Sequence, residues 1–159
     1  MERAIVGYHR DEANDWVAEL DCHHNQHVRN NPPFVNRPWI ESAEGRMKRL
    51  GTKLRCARCD RLELPEHLTP HKKTPEFTES TLPKGLLSEH STKKGVWGRI
   101  AVREGQLNYT VTEPESVTHA ITEGQSANIA PEMIHFVAPI GRVRFEIEFY
   151  SNNAMDKKG

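Results

Sequence analysis

RVRFEIEFY, residues 142–150, alternates apolar and polar side chains with a period of two. Val143, Phe145, Ile147 and Phe149 fall on one face, and Arg144, Glu146, Glu148 and Tyr150 fall on the other. That period belongs to a strand with one face on a core and not to a helix. Working back along the chain, HFVAPI (135–140), SANIAP (126–131) and SVTHAI (116–121) are further extended runs. GVWGRIAV (95–102) and LNYTV (107–111), separated by EGQ (104–106), read as a hairpin with its turn. Short strands broken by Gly and Pro predict an antiparallel β structure, closed into a barrel rather than left as an open sheet.

Upstream the grammar changes. PEHLTPHKKTPEFTESTLP (65–83) is rich in Pro, Ser and Thr with little apolar periodicity, which is how a connection between packed units reads. The predicted organisation is therefore a first domain at 1–64, a linker at 65–82, a β-barrel at 83–152 and a polar tail at 153–159. In the first domain AIVGYH (4–9) and DWVAEL (15–20), joined by RDEAN (10–14), predict a hairpin that ends at Cys22. NNPPFVNRPW (30–39) contains three prolines and cannot be regular. Ser42 is placed to cap a short helix, AEGRMKRL (43–50), that ends at Gly51, with Met47 and the leucines forming a small apolar face.

All three cysteines lie in two clusters, CHHNQH at 22–27 and CARC at 56–59. An odd number of cysteines cannot pair fully within the chain, and CxxC spacing favours a metal over a disulfide framework. Zinc takes thiolate and imidazole ligands in a tetrahedron. Cys56 and Cys59 supply one pair, and Cys22 with His24 supplies a second, because alternate strand positions face the same side. His27 is an alternative fourth ligand and His23 a weaker one. A domain of about 60 residues is near the size at which a core alone is marginal, so a metal staple is the expected role. A redox pair at CARC with a separate buried thiol is the competing reading.

VGYHRDEANDWVAELDCHHNQHVRNNPPFVNRPW (6–39) followed by CARCDR (56–61) resembles an uncharacterised bacterial family of small domains expected to bind zinc. The similarity covers roughly residues 3–62. That family's first cluster reads CGHxQHVRH; here His23 replaces the Gly and Asn30 the last His. The resemblance implies a metal and no reaction. LPKGLLSEHSTKKGVWGRIAVREGQLNY (82–109), with APEMIHFV (130–137) and RFEIEFYS (144–151), resembles the cupin-like domain of TehB tellurite-resistance proteins and of YeaR-like proteins. This similarity covers about residues 80–152 and implies a double-stranded β-helix with a link to tellurite or oxidant stress. The fold class is thus mainly β: a small zinc-stapled α+β N-terminal module followed by a cupin-like barrel. The methyltransferase part of fused TehB proteins has no counterpart in this sequence, and no glycine-rich nucleotide motif follows a strand.

Cupin-like barrels hold divalent metals between histidines. His90 and His135 are the candidates, with Glu148 or Glu146 as carboxylate partner, which suits a first-row ion with open positions. The metal-cupin HxH is not present, since Thr92 stands where the second His would be. The metal-free alternative is a ligand pocket using His90, Thr92, Lys93, Trp97, His135 and Glu148, with Arg99 adding charge; a cationic lining suits an oxyanion. No catalytic residue is assigned and enzyme status is left open. His119 is assigned no role, and His67 and His71 are read as solvated linker residues.

Lys plus Arg and Asp plus Glu both total 22, so the net charge of zero gives no general pull toward nucleic acid or anionic membrane. MERAIVGYHRDE lacks a secretory apolar core, and no stretch is long and apolar enough to span a bilayer. The expectation is a cytoplasmic, stress-associated protein with a structural zinc, a second divalent metal in the barrel as an open alternative, and a small-molecule or oxyanion ligand. Nucleic acid and membrane are not expected partners, and pairing through exposed edge strands points to a homodimer. Two other functions compete: a cupin-type metalloenzyme, and an interaction or regulatory module presenting Arg46, Lys48, Arg49, Lys53, Arg55 and Arg58.

Overall fold

The computed structural model describes residues 1–152; the polar tail expected at 153–159 lies outside the described residues. The chain divides into two units, Met1–Pro65 and Glu66–Gly159.

In the first unit the expected hairpin forms. β1 (Glu2–Arg10) pairs antiparallel with β2 (Trp16–Leu20), which pairs with β3 (Asn25–His27). β4 (Lys53–Arg55) closes the other side of β1, giving the order β3-β2-β1-β4. Ile5, Val17, Ala18, Leu20, Val28 and Ile40 form the core. The short helix α1 (Ala43–Lys48) starts where Ser42 accepts a hydrogen bond from the Gly45 amide at 3.0 Å. Just beyond it Gly51 adopts a left-handed φ of 85°, which its lack of a Cβ permits. The predicted apolar face of this helix is not buried: Met47 is 71% exposed and Leu50 47%. The helix is held by its cap and by an Arg46 hydrogen bond to the Ile40 carbonyl. A single helical turn, α2 (Ala57–Asp60), carries the second cysteine cluster.

The second unit is organised by two long strands. β7 (Trp97–Val111) and β10 (His135–Ser151) run antiparallel over almost their whole lengths. The predicted hairpin at EGQ is therefore wrong: the chain passes straight through Gly105. That glycine has φ of 80°, and a Cβ there would lie 1.9 Å from the Arg142 carbonyl oxygen. It is a bulge, where the register with β10 shifts, rather than a turn. HFVAPI and RVRFEIEFY are likewise one strand, with Gly141 at positive φ between them. Two shorter strands, β8 (Val117–Thr122) and β9 (Ser126–Ile129), pair with the far and near halves of β7. Trp97, Ile100, Leu107, Tyr109, Ile129 and Phe145 are fully or almost fully buried. The unit has the mainly β character expected of it.

The segment read as a linker departs from expectation. β5 (Thr69–Lys73) and β6 (Phe77–Thr78) both pair with β10. β5 is an edge strand with all five residues exposed. An edge accommodates Pro70, and a strand with no buried face shows no alternation. Among the described residues no helix is long and apolar enough to cross a membrane.

Candidate functional site

Two places concentrate chemistry, one in each unit. In the first, Cys22 and His24 follow the end of β2, Cys56 is the N-cap residue of α2 and Cys59 lies within its turn. These four buried side chains bring their ligand atoms within 4.8 Å of one another. His24 Nδ1 lies 3.5, 3.3 and 3.5 Å from the sulfurs of Cys22, Cys56 and Cys59. Cys22 Sγ and Cys56 Sγ are 3.9 Å apart. His24 Nε2 donates to the Glu63 carbonyl at 2.7 Å, so the ring is oriented with Nδ1 toward the sulfurs. A carbonyl accepting from the far ring nitrogen in this way is how metal-bound imidazoles are aligned. The turn that swings His24 inward passes through His23 at φ of 73°, a conformation that costs a non-glycine residue energy.

The electrostatics of the cluster call for a cation. Burial alone would lower the His24 pKa, but hydrogen bonding to Cys56 and Cys59 and their charge outweigh it and lift it to about 9. Hydrogen bonds from Cys22 and Cys59 hold Cys56 toward the thiolate, while contacts with Cys56 and Cys59, together with burial, push Cys22 up. Three sulfurs this close share negative charge that a proton or a metal ion must balance. The residues therefore fit a four-ligand metal site. His27 does not join it: its Nε2 meets the Asp11 carboxylate at 2.7 Å on the surface. As a strand residue opposite Val17 it lies beyond the turn that aims His24.

In the second unit a cavity of about 630 Å³ opens beside the start of β10. Backbone hydrogen bonds of 3.0 and 2.9 Å tie His90 to His135, and the two rings lie 4.2 Å apart. Each imidazole donates Nδ1–H to the carbonyl two residues before it, Ser88 for His90 at 2.9 Å and Met133 for His135 at 2.8 Å. Their Nε2 atoms are thereby left as acceptors in the neutral tautomer. Burial pulls the His135 pKa down to about 4, with the neighbouring His90 adding to the effect and the Met133 carbonyl opposing it.

Of the residues expected there, His90, Thr92, Lys93 and His135 line the cavity. Two do not. Trp97 is wholly buried in the core. Glu148 accepts a hydrogen bond from Tyr150 Oη at 2.6 Å and alternates away from Ile147 and Phe149, which do line the cavity. Glu146 is paired with Arg103 and Lys73, and Arg99 is bonded to Asn128. No carboxylate lines the cavity among the described residues. Sequence reasoning missed His71, Lys72, Lys94 and Ser151, which line it as well. Lys94 was legible as the neighbour of Lys93; His71 and Lys72 needed the pairing of β5 with β10, which brings His71 Nδ1 within 3.3 Å of Ser151 Oγ.

Comparison with known proteins follows the same division. Residues 6–63 match the family described as "Protein of unknown function (DUF3565)", and residues 72–147 match the TehB-like domain. The uncharacterized protein YeaR of Escherichia coli K12 is 29% identical over 99 residues, which is 56% of this chain and 82% of YeaR. A crystal structure of an E. coli K12 protein, solved as a structural-genomics target, is similar with a TM-score of 0.52 at 26% identity. It covers 55% of this chain and 94% of that one. TehB from Haemophilus influenzae gives a TM-score of 0.50 at 27% identity, covering 55% of this chain but 32% of TehB. The chain thus joins a segment similar to the DUF3565 family to one similar to the TehB-like domain, which bears out both resemblances drawn from the sequence.

Proposed function

We propose that this is a cytoplasmic, stress-associated protein whose second unit binds a small anionic ligand and whose first unit is stapled by structural zinc. The observation that carries the binding function is the cavity lining: Lys72, Lys93 and Lys94 stand around it with no carboxylate among the described lining residues. Cations left unneutralised beside an apolar wall attract an anion through charge-assisted hydrogen bonds, each worth up to about 1 kcal/mol at exposed lysines. The TehB-like resemblance links the unit to tellurite, one such anion. Binding of tellurite, phosphate and simple carboxylates is measured by calorimetry at low and at moderate salt. Saturable binding that weakens about tenfold or more in a Lys93→Ala, Lys94→Ala double variant supports the function; no heat with any anion in the wild type refutes it.

The zinc assignment rests on the cluster's dimensions. A tetrahedral ion with bonds of ~2.05 Å to nitrogen and ~2.3 Å to sulfur requires N···S edges of about 3.5 Å and S···S edges of about 3.8 Å. The N···S separations of 3.3 to 3.5 Å and the Cys22–Cys56 S···S separation of 3.9 Å fall close to these, and all four ligand atoms lie within 4.8 Å of one another. Cys22, His24, Cys56 and Cys59 would hold the ion with no position left for substrate, and the ion would supply cross-linking rather than catalysis.

A cupin-type metalloenzyme is the second reading, favoured by the two Nε2 atoms that His90 and His135 leave uncommitted. Two imidazoles and no carboxylate make a sparse ligand set, so the metal-free cavity ranks first.

A further inference from the structure

The kind of anion can be narrowed from the way the cavity's chemistry is layered, granted the reading of it as an anion-binding site. Its volume of about 630 Å³ is that of about twenty waters at ~30 Å³ each. Clefts of ~300–1,000 Å³ enclose organic ligands, and a bare inorganic oxyanion would leave most of this wall facing water. The charges are at the mouth: Lys72, Lys93 and Lys94 are exposed. The buried part of the lining is mostly apolar, with Ile129 1% and Ile147 5% exposed and Phe149 beside them, while Ser151, 2% exposed, is engaged by His71 at 3.3 Å.

The most buried polar side chain of the lining has the wrong character for an anion. His135 is 1% exposed and already donates Nδ1–H to the Met133 carbonyl. Being neutral near pH 7, with its pKa down at about 4, it offers a lone pair at Nε2. A carboxylate or oxyanion oxygen brought to that nitrogen would meet lone pair with lone pair; an O–H or N–H donor would meet an acceptor. His90 makes the same Nδ1–H bond to the Ser88 carbonyl, so in its neutral form its Nε2 is a second acceptor.

We propose that the cavity takes an organic acid apolar end first, its anionic head held at the mouth by Lys93 and Lys94. Its apolar body lies along Ile129, Ile147 and Phe149, and a hydroxyl or amine N–H at its buried end donates to the His90–His135 pair.

Calorimetry on the full chain tests this with defined probes: phosphate, tellurite, butanoate, hexanoate, octanoate and 8-hydroxyoctanoate. The expected result is affinity rising about fourfold per added methylene along the alkanoates. Octanoate is then outdone by 8-hydroxyoctanoate, and both are weakened in the exposed Lys93→Ala, Lys94→Ala variant. His135→Phe should reverse the preference between octanoate and its hydroxy form. The wild-type series decides the matter even where that variant does not fold. Inorganic anions bound as well as octanoate, with no dependence on chain length, overturn the inference while leaving the anion site standing. The hydroxy acid binding no better than octanoate overturns it, as does binding that needs an added divalent ion. No binding by any anion removes the underlying site as well.

Discussion

Acid should destabilise the second unit in part through one histidine. His135 has a folded pKa of about 4 against an unfolded value near 6.5, because it is buried and its neighbour His90 disfavours a second charge. Above pH 6.5 neither state carries the proton and the group contributes nothing. Below it the unfolded chain takes up a proton that the folded chain refuses, so stability falls as pH falls. With 1.36 kcal/mol per pH unit, the loss reaches about 2.5 kcal/mol by pH 4.5 and about 3.4 kcal/mol well below pH 4. The comparison variant is His135→Asn, whose side-chain amide keeps a donor for the Met133 carbonyl but does not titrate. Urea unfolding of both proteins at intervals from pH 7.5 to 4.5 separates this group from the carboxylates and thiolates, which titrate alike in each. The stability difference between wild type and variant should shrink by about 2.5 kcal/mol across that range. A difference that stays constant with pH would refute the burial argument.

Other consequences can be checked more briefly. Gly105→Ala forces a side chain into a left-handed bulge against the Arg142 carbonyl and should cost the second unit roughly 2–4 kcal/mol, read from its unfolding midpoint. Ser42→Ala removes the N-cap of α1 and should cost about 1 kcal/mol without changing anion binding, since the first unit alone is affected. His23→Gly relieves the positive φ beside the metal cluster, and thermal unfolding should show a gain of up to about 1 kcal/mol. Stripping metal with a chelator, or Cys59→Ser, should unfold the first unit, seen as loss of amide-exchange protection in β1 and β2. The core strands β7 and β10 should keep theirs.

The sequence was most informative where the signal is local. Cys22 with His24, and Cys56 with Cys59, each sit on one turn or strand end, and the spacing within each pair reports the geometry directly. Ser42 and Gly51 bracket their helix for equally local reasons. Gly105 and Gly141 were harder, because a glycine at positive φ serves a turn and a bulge alike and only pairing with a partner strand distinguishes them. The segment 65–83 misled because β5 is an exposed edge, held by backbone bonds to a strand some 75 residues away. The same long-range pairing carries His71 and Lys72 to the cavity, so no reading of residues near His90 would have found them. Glu148 failed for a simpler reason: its face of β10 was legible from the alternation, but which face borders the cavity was not.

The most direct test of the division between a stapled unit and a metal-free binding unit is metal content by elemental analysis. The protein is purified without an affinity tag or added metal, as wild type, Cys59→Ser and His135→Ala. One zinc per chain, lost in Cys59→Ser and kept in His135→Ala, is the predicted result. No metal in the wild type would contradict the staple, and a second ion lost in His135→Ala would contradict the metal-free cavity.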